Sequence, residues 1–196
     1  MTSVRKCTVN RETKETRISL SLNLDGKGVF SGTTGIGFFD HMLSAFTVHG
    51  GFDISLEMQG DLEVDCHHSV EDFGIVLGQA FSQLCDKNAI QRYGSFYIPM
   101  DETLAFCAVD FSGRPFLVFD AAFSNPAVGA FDCCMTGEFF RAFAFNGGMT
   151  LHLRVLYGEN DHHKIEGLFK AAAHALQQAV QPRLDGPLSS KGVLSI

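Results

Sequence analysis

One arrangement of residues occurs twice in this chain, and that repetition constrains the fold more than any other feature. CHHSVEDFG from Cys66 and DHHKIEGLF from Asp161 share a His-His-x-x-Glu core. Upstream of these motifs the landmarks keep step. Ala45-Phe46 falls on Ala142-Phe143 without a gap, Gly50-Gly51 on Gly147-Gly148, and Gly60 on Gly158 with one residue added. A chain that repeats its landmarks in order builds one supersecondary unit twice.

The periodicities say what that unit is. Ile18, Leu20, Leu22 and Leu24 alternate with polar residues over 16–24, which predicts a half-buried strand. DGKG turns the chain toward a short strand over 29–31. Residues 38–48 place Phe39, Met42, Leu43 and Phe46 on one helical face, and Gly50-Gly51 ends that helix. Phe52, Ile54, Leu56 and Met58 alternate as a strand, and 67–84 is a helix striped by Val70, Phe73, Leu77, Phe81 and Leu84. The second half predicts strands at 103–111 and 115–122, a helix at 138–145, an alternating strand through Met149–Val155 and a closing helix at 162–180. The expectation is an α+β fold of two similar halves, 1–91 and 92–196, each a mixed β-sheet packed by two helices. Together they form one compact domain, and the second half carries a C-terminal tail with the segment SSKG.

Composition narrows the function. The 196 residues are 45% hydrophobic and 19% charged, ordinary globular material. A net charge of -7 with no clustered Lys/Arg run argues against a nucleic-acid partner. No apolar run is long enough to span a membrane, and MTSVRKCTVN lacks the apolar segment of a secretory signal. The six cysteines show no CxxC pair, so reduced thiols in a cytoplasm are expected.

The histidine pairs carry the chemistry. Successive helical residues diverge by ~100°, so His67 and His68 face different directions, whereas His67 and Glu71 lie one turn apart on nearly one face. Two adjacent imidazoles therefore suit two ions better than one. His162, His163 and Glu166 supply the complementary set, and the expectation is two metal sites, each drawing on both motifs within the chain or across a subunit contact. Imidazole with carboxylate suits Mn, Fe, Co, Ni or Zn, and the absence of cysteine ligands argues against a structural zinc knuckle. The alternative, solvated histidines at helix N-termini, sits poorly with the unfavourable field for cations there. The repeat also aligns His41 with Glu138, adding two candidate ligands. His152 suits support of a ligand or packing on the sheet surface as well as ligation, and His49 and His174 read as structural.

FFDHML, HHSVEDFGIVLG, DFSGRPF, LHLRVLYGENDHHKIEGLFKA and SSKGVL together resemble the imidazoleglycerol-phosphate dehydratase family of histidine biosynthesis, over nearly the whole chain from Arg11. The resemblance implies two similar α+β halves, assembled as a homo-oligomer of 24 subunits with active sites at subunit contacts. It implies a small phosphorylated imidazole substrate, and Mn²⁺ as cofactor at two ions per site. The ligands it implies are His41, His67, His68, Glu71, His162, His163 and Glu166. Glu138 stands where several members carry histidine, and a carboxylate can serve Mn²⁺ in place of imidazole. Catalysis would rest on Glu15 as acid/base, with His67 and His163. Substrate would be held by Glu15 and His41, and its phosphate by Arg92, Arg114, Lys170, Ser190 and Lys191. Lys170 has support from spacing alone, being one turn after Glu166. Asp40, Asp72 and Asp101 are weaker acid/base alternatives. Two rival readings are a metal-templated structural or storage oligomer, which needs ligands but no cation set, and another two-metal enzyme such as a hydrolase, whose site is richer in acids.

Overall fold

A computed structural model describes residues 4–183 and Gly186. The first half runs β1 (Lys6–Glu12), β2 (Thr16–Asn23), β3 (Val29–Ser31), α1 (Gly37–Gly50), β4 (Asp53–Gly60) and α2 (His67–Leu84). The second runs β5 (Tyr93–Met100), β6 (Thr103–Asp110), β7 (Phe116–Asp120), β8 (Ala127–Val128), β9 (Phe131–Asp132), α3 (Met135–Gly147), β10 (Thr150–Tyr157) and α4 (Asp161–Ala179). The main sheets have matching orders, β1-β2-β4-β3 and β5-β6-β10-β7. In each, the third strand pairs parallel to the central fourth and the rest are antiparallel. The pair β8-β9 is the second half's addition.

The same local chemistry shapes both halves. Gly51 (φ 68°) ends α1 in the left-handed region, its N–H donating back to Thr47 and Val48 carbonyls. Gly148 (φ 62°) ends α3 in the same way on Ala144 and Phe145. In β2 and β6 the alternate residues Ile18, Leu20, Leu22 and Ala105, Cys107, Val109 are buried, each sheet turning that face to its helices. The halves then join through helices, α2 on α3 and α1 on α4. Phe39, Phe73, Phe139 and Phe169, one from each helix, meet there and are all fully buried. Gly74 and Gly78 let α3 lie close on α2. A Cβ there would stand 2.8 Å from the Phe139 carbonyl oxygen and 2.5 Å from that of Phe143.

Four strands go beyond the sequence reading: β1, β5 and the β8-β9 pair. β1 (Lys6–Glu12) precedes the strand that the periodicity predicts over 16–24 and pairs with it. β5 contains Pro99 and Gly94, which weaken a strand pattern, yet it is an edge strand where proline is tolerated. Helix α3 starts at Met135, three residues before Glu138, and so puts Glu138 in its first turn. All six cysteines are unpaired. No helix among the described residues is long and apolar enough to cross a membrane.

Candidate metal centre

Helices α1 and α4 bring three ligand-type groups together. His41, His162 and Glu166 each offer one atom, and these atoms lie within 4.8 Å of one another. Both histidines aim Nε2 at one carboxylate oxygen, Glu166 Oε2, at 3.3 Å from His41 and 3.1 Å from His162. Phe38 packs against both imidazole rings and narrows their freedom. The other oxygen, Glu166 Oε1, pairs with Lys170 Nζ at 2.6 Å, one helical turn on. Glu166 is buried, which alone would raise its pKa. Lys170, followed by His41 and His162, outweighs that and holds the carboxyl below its ordinary range.

Helices α2 and α3, again one from each half, build the counterpart. His67 Nε2 stands 3.6 Å from Glu71 Oε2. Arg141, one turn after Glu138, donates from Nε to Glu138 Oε2 at 2.8 Å and from Nη2 to Glu71 Oε1 at 3.3 Å. Glu138, at the repeat position of His41, meets this cluster through Arg141, whereas His41 faces Glu166 directly. Each cluster carries one cation, Lys170 from α4 in one and Arg141 from α3 in the other. Arg141 escaped the sequence reading, although its spacing from Glu138 on a helix was a signal. Within one chain the two motifs stay apart, which leaves the subunit contact as the place where they would mix. Each cluster uses one motif, on its own helix pair, and among the described residues no hydrogen bond or ion pair joins them.

The second histidine of each pair turns away as the helical twist requires. Ring centroids are 6.1 Å apart in both pairs. His68 Nδ1 meets Asp61 Oδ2 at 2.9 Å, and that hydrogen bond raises its pKa. His163 Nδ1 meets Glu102 Oε2 at 2.8 Å. Neither acid had been picked out from sequence.

Glu15 lines a polar cleft of about 330 Å³ with Thr13, Gly60 and Asp61, and its charge contributes to the raised pKa of His68. Asp40 is committed to Thr33 and Thr34, and Asp72 to Arg11 and Thr16, so both serve structure. His49 and His174 pair across α1 and α4 at 3.0 Å, and His152 is exposed on β10. Arg92 is buried, with Nε and Nη2 on the Asp110 carboxylate at 2.6 and 3.1 Å. Its N–H bonds Ala179, so it sits roughly 25 Å along α4 from His162. Arg114 is exposed in the turn before β7, next to Gly113, whose N–H bonds Gly148 at the end of α3. Ser190 and Lys191 lie outside the described residues.

Comparison with known proteins decides the family. Residues 34–176 match the sequence profile described as Imidazoleglycerol-phosphate dehydratase. The chain belongs to the imidazoleglycerol-phosphate dehydratase family. Relatives of that name include one from Acetivibrio thermocellus, 53% identical over 97% of this chain and 99% of its own. One from Listeria welshimeri is 54% identical over 97% and 100%. Among solved structures, the Imidazoleglycerol-phosphate Dehydratase of Staphylococcus aureus superposes with TM-score 0.82 at 42% identity, covering 91% of this chain and 99% of that one. The Pyrococcus furiosus IGPD, solved in complex with (S)-C348, gives TM-score 0.81 at 33% identity, covering 95% and 100%. The similarity to this dehydratase family therefore spans both halves and both histidine motifs.

Proposed function

We propose that this chain removes water from D-erythro-imidazole-glycerol phosphate, giving imidazole-acetol phosphate in histidine biosynthesis, with two Mn²⁺ per active site. The observation that carries the metal reading is the convergence of His41, His162 and Glu166, in a chain of the dehydratase family. The donors fit the ion. Imidazole nitrogen with carboxylate oxygen suits Mn²⁺ among first-row metals, and Glu166 is already held in its charged form. When bound, the cations would supply Lewis-acid stabilisation of the substrate's imidazole ring, so that the ring can provide the electrons that expel a neighbouring hydroxyl.

The remaining work falls to the chain. His41, His162 and Glu166 would hold one ion, and His67, Glu71 and Glu138 the other. His68 and His163, turned outward from these clusters, would complete the set contributed by another subunit. Glu15 would move the proton at the carbon next to the leaving hydroxyl, from a cleft that borders the Asp61 partner of His68. Lys170 would bind phosphate from the ligand face of α4. Arg92 and Arg114 lie at the other ends of α4 and α3 from the histidines. They would reach the phosphate across a subunit contact, with Ser190 and Lys191. This division supports a homo-oligomer with sites at its contacts, proposed to be of 24 subunits. The exposed apolar side chains Tyr93, Tyr97, Phe116 and Tyr157 on the second sheet support it further. The unpaired cysteines fit a reducing cytoplasm. The Glu15 cleft and the cation set favour catalysis over metal storage.

The test is a dehydratase assay with imidazole-glycerol phosphate on chelated protein, repeated after Mn²⁺ is restored. Activity is expected only in the second case. Full turnover by stripped protein would refute the metal role.

A further inference from the structure

The two halves put a glutamate-threonine pair in the same place. Glu15-Thr16 opens β2, and Glu102-Thr103 opens β6, its repeat equivalent. Thr16 pairs with Gly60 at the end of β4. Thr103 packs on Gly158 just after β10, so close that a Cβ on that glycine would stand 2.3 Å from its Oγ1. The two threonines thus stand in one register, and Glu15 and Glu102 are counterparts. The acids after the two glycines, Asp61 and Glu159, are counterparts too.

These four acids have exchanged tasks between the halves. In the first half Asp61 holds His68 Nδ1, and Glu15 lines the cleft without a side-chain hydrogen bond among the described residues. In the second half Glu159 gives only its backbone N–H, and the acid at the Glu15 position holds His163 instead. The Glu102 carboxylate divides its work by oxygen. Oε1 accepts from the N–H groups of Glu159 and Asn160 at 3.0 and 2.8 Å and from Thr103 Oγ1 at 2.9 Å. Oε2 faces His163 Nδ1 alone, at 2.8 Å. The other ring nitrogen, His163 Nε2, lies 3.8 Å from Asp101 Oδ2, outside hydrogen-bond range, and has no hydrogen bond among the described residues.

We propose that Glu102 is a positioning residue that fixes His163 as the Nδ1–H tautomer, leaving Nε2 unprotonated and available as a donor to metal. This deepens, and rests on, the proposed metal role of His163. A carboxylate on the far nitrogen of a ligating histidine sets both tautomer and ring orientation. The duplicated fold therefore keeps one such glutamate for substrate and spends the other on holding a ligand, which accounts for a site with a single Glu15 despite two halves.

The division of oxygens makes Glu102→Gln a sharp test. The amide oxygen can keep the three Oε1 partners, so the loop and the start of α4 stay formed. The amide NH2 then faces His163 Nδ1, and being a donor it forces the opposite tautomer, with the proton on Nε2. Full-length, chelated protein labelled with ¹⁵N-histidine is examined by solid-state NMR at pH 8, with the His163 signals assigned by difference from His163→Gln. Wild type should show the Nδ1–H tautomer and Glu102→Gln the Nε2–H tautomer. Titration with Mn²⁺ should show one class of sites weakened about 10–100-fold in the variant. An Nε2–H tautomer in wild type, or wild-type Mn²⁺ affinity in Glu102→Gln, would overturn the assignment. Wild-type protein that takes up no Mn²⁺ would count against the metal reading alone, while the tautomer result still judges Glu102.

Discussion

Lys164 and Asp161 form a buried ion pair at the start of α4, with side chains 6% and 1% exposed. Lys164 Nζ donates to Asp161 Oδ1 at 2.9 Å and to the Ala122 carbonyl at 3.1 Å. Asp161 also accepts from the N–H groups of Ser124 and Asn125 and from Asn125 Nδ2. The pair ties the loop after β7 to the turn that carries His162. Burial alone would raise the Asp161 carboxyl, but Lys164 and these N–H donors hold it down to about 2. Lys164→Met keeps the packing of the stem and removes the charge. Stranding one partner of a buried pair costs about 3–5 kcal/mol. The donors that Asp161 retains place this case at the low end, about 3 kcal/mol. Urea unfolding of chelated protein at fixed subunit concentration measures it, since an oligomer's midpoint shifts with concentration. The double variant Asp161→Asn/Lys164→Met should lose less than the sum of the singles, because no charge is left stranded. A loss within about 0.5 kcal/mol for Lys164→Met, the size of an ordinary surface change, would refute this reasoning.

Glu15→Gln should bind substrate and turn it over about 10²–10⁴-fold more slowly, read by steady-state kinetics beside equilibrium binding; wild-type rates would remove Glu15 from the scheme. The His49–His174 pair should make stability pH-dependent. Burial first, then the Lys170 charge, lowers the pKa of His49, and burial lowers that of His174. The unfolded chain therefore binds more protons as pH falls below about 6.5, and stability present above that pH is lost below it. His68, whose pKa is raised, works in the opposite sense. The contribution is thus read as the difference from His49→Asn/His174→Gln, which borrows Asn146 and Gln79 from the other half. The urea midpoint of that variant should fall less between pH 7.5 and 5.5 than wild type's, and equal falls would dismiss the pair as a proton sink.

The duplicated order of elements was legible because glycine stops and alternating strands are local signals. Gly51 and Gly148 end their helices whatever the rest of the chain does. Strand β5 was not legible, since Pro99 contradicts a strand unless its edge position is known. In the site, helical twist alone separated His67 from His68 and His162 from His163. It could not say what the outer histidines meet. Glu102 reaches His163 across 61 positions of sequence, a contact that only the tertiary fold creates. A trace lay in the shared Glu-Thr of KET and DET, visible once the repeat register is drawn through the first strands. Arg92 read as a phosphate ligand by resemblance, and only the fold reveals that its guanidinium is braced by Asp110, far along α4 from its own chain's histidines.

The proposed function requires that metal held by the two clusters meets the substrate's ring. Its most direct test is anomalous diffraction at the manganese edge from Mn²⁺-loaded crystals holding a substrate analogue. Two peaks are predicted at each site, one beside His41, His162 and Glu166 and one beside His67 and Glu71, with the analogue's ring between them. A single peak, or a ring remote from both clusters, would contradict it.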